Sequence, residues 1–87
     1  MTTTHPLWYR VWEQARRQSF FVAAHWPGTI EELAEALGCD PLTAVRFSLC
    51  RAPRPTEELE QWVQDVARYL ALDPERVRAV VGRLDGR

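Results

Sequence analysis

The sequence predicts an all-α domain of about five short helices. Three observations carry this. Apolar residues recur at intervals of three and four along most of the chain, prolines and glycines fall between those stretches beside residues that cap helices, and no stretch alternates apolar and polar residues at period two. With 87 residues, 46% of them hydrophobic, there is material for one modest core and not for two. Residues 1–87 are therefore expected to form one domain, with an N-terminal helix and turn in 1–28 and the other helices in 29–84.

The first helix is expected over residues 7–26. Pro6 suits an opening turn, and Trp8, Val11, Trp12, Ala15, Val22 and Trp26 recur at helical spacing. Phe20, Phe21 and Val22 make its second half apolar on more than one side, and Pro27-Gly28 ends it. Thr29-Ile30-Glu31-Glu32 has the form of a capping box, so a second helix starts there, with Ile30, Leu33, Ala34 and Leu37 on one side and Gly38 at its end. Asp40-Pro41 repeats the start signal with an acidic cap and a proline at the first helical position, and predicts a third helix running to about Arg51. The run Ala52-Pro53-Arg54-Pro55 stops it.

Thr56 is placed to cap a fourth helix, whose first turn carries Glu57, Glu58 and Glu60 near the positive end of the helix dipole. Leu59, Trp62, Val63, Val66, Ala67 and Leu70 give it a buried side. Asp73-Pro74 opens a fifth helix with Val77, Val80, Val81 and Leu84 pointing inward.

Composition narrows the function classes. A formal net charge of −1 gives no global attraction to nucleic acid, so any DNA contact must be local. All eleven cations are Arg, with no Lys and no Asn, a bias of GC-rich coding such as a bacterial genome shows. Two cysteines and an N-terminus without the charged, apolar and small-residue succession of a secretory signal point to a reducing cytoplasm. Apolar runs fall far short of the roughly 20 residues that a membrane span needs.

Cys39, Cys50, His5 and His25 do not form paired zinc spacings, and the cysteines read as structural thiols. No nucleophile with a neighbouring base, glycine-rich phosphate loop or carboxylate pair stands out. Neither an enzyme nor a cofactor is expected. Trp8, Trp12, Trp26 and Trp62 read as core or interface anchors, with Arg10, Arg16 and Arg17 on a wet face of the first helix.

The run Leu33-Ala34-Glu35-Ala36-Leu37-Gly38-Cys39-Asp40-Pro41-Leu42-Thr43-Ala44-Val45-Arg46-Phe47 resembles the helix-turn-helix of the lambda-repressor-like (XRE) family. Ala34, Gly38, Ala44 and Phe47 stand at its small-residue, turn and inward positions, and the likeness covers roughly residues 29–84. A small Ala34 lets the third helix cross closely, and Gly38 accepts a left-handed turn, after which Cys39 faces inward.

The resemblance implies a transcription-related role and a DNA-facing third helix, yet the matching places hold Asp40, Pro41, Leu42, Val45, Arg46 and Leu49, where the family is mostly polar. Only Arg46 among them can donate to a base edge or phosphate. Thr43 matches a frequent family threonine, and Arg51 and Arg54 are placed for phosphate contacts. Two dispositions of Leu42, Val45 and Leu49 stay open: a rotated third helix that buries them, or an exposed patch that grips a protein while Ala44, Phe47 and Cys50 face inward. The function expected is a small regulatory module whose contact residues are Leu42, Thr43, Val45, Arg46, Leu49, Arg51 and Arg54. Its expected partner is a protein, with direct sequence-specific DNA binding as the alternative and a homodimer compatible with either.

Overall fold

A computed structural model describes residues 6–54 and 58–84. Within them lie α1 (Leu7–Ala15), a single 3-10 turn (Val22–His25), α2 (Ile30–Leu37), α3 (Pro41–Ser48), α4 (Leu59–Leu70) and α5 (Pro74–Val81). The all-α class and the five short helices are as the sequence predicts. Among the described residues no strand forms, and none of the helices is long and apolar enough to cross a membrane.

The first helix differs from the expectation. It stops at Ala15, and residues 16–26 form a turn, an extended Phe21 (φ −93°, ψ 151°) and the 3-10 turn instead of a continuing helix. Phe20, Phe21 and Val22 are consecutive, so they cannot share one helix face, and all three lose side-chain freedom in a helix. Their backbone has a better partner in the segment after α3. The Ala52 N–H donates to the Phe20 carbonyl at 2.9 Å, and the Val22 N–H donates to the Cys50 carbonyl at 3.0 Å. That pairing, centred on an antiparallel bridge between Phe21 and Arg51, buries Val22 and Ala23. It also shortens α3, which ends at Ser48 and not near Arg51, because residues 50–52 must be extended to make these bonds.

The other termini follow local chemistry closely. Thr29 Oγ1 accepts from the Glu32 N–H at 3.1 Å while the Glu32 carboxylate accepts from the Thr29 N–H at 2.7 Å, which completes the capping box. At the far end of α2, Gly38 adopts φ 70°, with its N–H donating to Glu35 and the Cys39 N–H to Ala34, the two bonds of a Schellman closure. The Arg76 guanidinium lies over this turn, 3.1 Å from where a Gly38 side chain would begin. α4 closes in the same way, but with Ala71 at φ 56°, its N–H donating to Arg68 and the Leu72 N–H to Ala67. The Asp73 carboxylate accepts from the Glu75 N–H at 2.9 Å to start α5. The expected cap Thr56, with Pro55, Glu57 and His5, lies outside the described residues.

The core forms where the helices meet. Phe47 is wholly buried and meets the Trp62 ring edge to face at 6.2 Å, and the Trp62 indole N–H donates to the Arg51 carbonyl at 3.0 Å. Ile30, Leu33 and Leu37 from α2 and Val77, Val80 and Val81 from α5 fill the space beneath. Trp12 and Trp26 are buried as well, with the Trp26 N–H donating to the Thr29 carbonyl at 2.9 Å. Trp8 is only half-buried. Ser48, the one buried polar side chain among the described residues, donates to the Val45 carbonyl at 2.6 Å. Outside the core, Arg78 bridges α5 to α4 by donating to both Glu60 oxygens at 3.0 and 2.6 Å, and also pairs with Glu75.

Two expectations follow. Exchanging the conformational demands of the two Schellman turns should act in opposite directions. Ala71→Gly should raise stability by about 0.5–1 kcal/mol, the left-handed penalty of alanine less the extra freedom of glycine in the unfolded chain. Gly38→Val should lower it by about 1–3 kcal/mol, through backbone strain and crowding of Arg76. Denaturant titrations measure both, and equal midpoints for all three proteins would refute the turn assignments.

The Arg78 bond, helped by Gln64, holds the Glu60 carboxyl at about 2, below its ordinary 4.5. A carboxyl lowered on folding contributes stability that is complete above pH 4.5 and is lost as pH falls from there toward 2. Glu60→Gln should therefore melt below the wild type at neutral pH, and the gap should close across that acid range.

Candidate partner-binding face

α1 carries two apolar stripes on nine residues. Trp8, Trp12 and Ala15, spaced by four and three, point toward the core. Leu7 and Val11, one residue out of phase with them, point away and are 75% and 36% exposed. α3 divides in the same manner. Ala44, Phe47 and Ser48 are wholly buried, while Leu42 and Leu49, seven residues apart, stay 54% and 36% exposed.

Because the 20–22 and 50–52 pairing ties the chain after α1 to the chain after α3, the two helices lie side by side with their outward stripes adjacent. Leu7, Trp8, Val11, Leu42, Val45, Arg46 and Leu49 line a shallow open groove of about 360 Å³ between them. Neither expected disposition of the α3 stripe holds as a whole: Val45 is buried and supplies the floor, because it turns toward α1 beside Ala44 and Ser48, while Leu42 and Leu49 stay exposed. Full burial of a leucine is worth about 1.5–3 kcal/mol relative to exposure, so a partner covering this face gains several kcal/mol from its walls.

The cations of the face are as notable as its apolar walls. Arg46, exposed between Leu42 and Leu49, stands over the Tyr69 ring of α4 at 5.8 Å, and Tyr69 is itself 69% exposed. Arg10 projects from α1 beside Val11 and is exposed. Among the described residues, neither arginine forms an ion pair; the pairs join Arg16 to Glu13, and Arg78 to Glu60 and Glu75. Among the described residues, no acidic one lines the groove.

The residues that the sequence singles out for partner contact are not all brought together. Leu42, Val45, Arg46 and Leu49 share the groove. Thr43 is half-buried, and its hydroxyl donates to Asp40 at 2.5 Å, a bond that holds the Asp40 carboxyl below the usual carboxylate range. Arg51 and Arg54 border a different hollow with Ser19, Phe20 and His25. Arg51 is committed to the fold there, with its backbone opposite Phe21 and its guanidinium donating to the Ala52 carbonyl at 3.3 Å.

Leu7 and Val11 line the face, with Tyr69 next to it under Arg46, and sequence reasoning did not bring them to it; Val11 was expected on the inward side. The signal was the phase difference between Leu7–Val11 and Trp8–Trp12. Cys39 and Cys50 are free, and burial pushes both thiols up, opposite to the depression of a reactive cysteine. Cys39 sits at the margin of the core and not fully inside it. No family model, curated protein or solved structure matches the chain.

The exposure of the stripe has a direct thermodynamic signature. Leu42→Glu with Leu49→Glu should change stability by only about 0.5 kcal/mol each, as for other surface positions. Leu33→Glu, at a wholly buried site, should unfold the domain by stranding a carboxylate in the core. Circular dichroism melts compare the three, and a double variant that collapses like the Leu33 control would mean the stripe is core.

Proposed function

We propose that this protein is a small regulatory interaction module that binds another protein through the apolar groove between α1 and α3. The observation that carries the reading is the juxtaposition of two outward leucine-containing stripes from separate helices over a buried Val45 floor. Scattered surface leucines need no explanation, but a contiguous apolar concavity on so small a domain is the usual mark of a recognition surface. The lining is apolar apart from Arg46, which suits the covering of another apolar surface.

A relationship to lambda-repressor-like helix-turn-helix domains within residues 29–84 is supported by the turn itself. Gly38 is left-handed, Ala34 is 5% exposed where α3 packs, and Ala44 and Phe47 are wholly buried. Base reading finds less support. The outward side of α3 offers Leu42, Leu49 and a single guanidinium already stacked on Tyr69, and Thr43 spends its hydroxyl on Asp40. α1 flanks α3 on that side, so the face is broader than the one helix that a major groove about 12 Å wide accepts.

Photo-crosslinking in the source cells tests the proposal. A crosslinker at Leu42 should trap one partner protein, and the same group at Glu75 should not. The adduct should vanish in a folded variant carrying Leu7→Glu and Leu49→Glu. Selection from random duplex DNA is the opposing arm. Recovery of a consensus site, bound with a steep salt dependence and lost in Arg46→Ala, would replace the protein-binding reading with the DNA-binding one.

A further inference from the structure

Resting on that reading, we infer that the occupant of the groove is an acidic amphipathic helix of another protein, with apolar residues at spacings of three and four and Asp or Glu on both flanks. Its shape comes from the walls. Leu7 and Val11 form one ridge at i, i+4, and Leu42 and Leu49 form the other at i, i+7, so the furrow between them is the kind into which a third helix packs its own ridge. An extended peptide has no place to add. The one extended pairing among the described residues, at Phe21 and Arg51, already uses its bonds internally. A polyproline segment docks between exposed aromatic rings, whereas these walls are aliphatic and their one ring, Trp8, is half-buried.

The sign of the partner comes from the rim. Arg46 lines the groove, and Arg10 is exposed on α1 three residues on from Leu7; among the described residues neither has a carboxylate partner, on a chain whose overall charge is −1. A local excess of positive charge around an apolar furrow is complementary to an anionic helix and repels a cationic one.

The same charges argue against a second copy of this chain. A two-fold dimer through the groove would set each Arg10 and Arg46 against the same cationic face. A head-to-tail contact needs an acidic helix with exposed apolar residues, and α2 and α4 do not provide one. α2 exposes Glu31, Glu32 and Glu35, but Ile30, Leu33, Ala34 and Leu37 are all buried. α4 exposes Glu60 and Asp65 while turning Trp62, Val63 and Val66 inward, and its one exposed ring, Tyr69, lies under Arg46 of the same chain.

The test uses the full chain to select from a displayed library of helical 18-residue peptides, with leucine at i, i+3, i+4 and i+7 and randomised flanks. Selected peptides should be enriched in Asp and Glu on the flanks and should shift the amide resonances of Val11, Leu42 and Leu49. Arg10→Glu with Arg46→Glu, checked for folding by circular dichroism, should weaken them about tenfold at low salt, less at high salt, and select basic flanks in their place. Groove binders without charge bias would overturn the acidic partner and leave the docking face standing. Three results would overturn both. One is the absence of any peptide that shifts the groove resonances; the second is mass that grows with concentration through the groove; the third is preferential binding to phosphatidylserine vesicles.

Discussion

Everything distinctive about this fold depends on one short piece of backbone pairing, the two hydrogen bonds that join residues 20–22 to residues 50–52. Each of those segments would otherwise prolong a helix: 20–22 would continue α1, and 50–52 would continue α3. By exchanging N–H and C=O groups with each other they satisfy donors and acceptors that a helix would have satisfied internally, so little hydrogen-bond energy is given up. What is gained is burial. Val22 and Ala23 become core, Trp62 finds an acceptor in the Arg51 carbonyl, and α1 is drawn against α3. The groove is a consequence of this junction, because two helices with outward apolar stripes meet only when the chains that follow them are tied together.

The two Schellman turns show how the rest of the chain keeps its few residues in register. Gly38 and Ala71 occupy equivalent places, each in the left-handed region, with the same pair of bonds running back to the third and fourth carbonyls before them. At the first turn the residue matches the demand. At the second, an alanine accepts a strain of roughly 1–2 kcal/mol, which the packing of Leu72 and the start of α5 at Asp73 must offset. The joint between α4 and α5 thus combines a strained Ala71 with the Asp73 cap, core packing and the exposed Glu60–Arg78 bridge.

The legible part of the sequence was its punctuation. Thr29 with Glu32, Gly38, Asp40-Pro41 and Asp73-Pro74 each act over four residues or fewer, and each lies where those residue types require an end or a start. The inward residues of α2, α4 and α5 were legible for the same reason, since a helix with one apolar side has one way to bury it. The failures were long-range. Nothing local to residues 16–26 announces that Phe20 and Val22 will pair with a segment some thirty residues away, and helical periodicity carried straight through the break. For the candidate site, the α3 half was visible as Leu42 and Leu49. The α1 half was not, because Leu7 and Val11 join that stripe only through the same nonlocal pairing.

That leaves the question of why α3 does not simply turn its leucines inward. Ala44, Phe47 and Ser48 are each wholly buried, and together they determine the rotation of the helix. A turn of about 100°, one residue on a helical wheel, would cover Leu42 and Leu49 at the expense of exposing Phe47 and breaking its contact with Trp62. Loss of a buried phenylalanine costs about 3–5 kcal/mol, more than the partial gain from two leucines that are already half-covered. Ala34, buried on α2, adds a second restraint, since α2 packs closely against α3. The exposed stripe is therefore a fixed property of the core and not a surface that the isolated domain can relax away. Among the described residues nothing covers it, which is the state of the surface from which the proposed docking of an acidic helix starts.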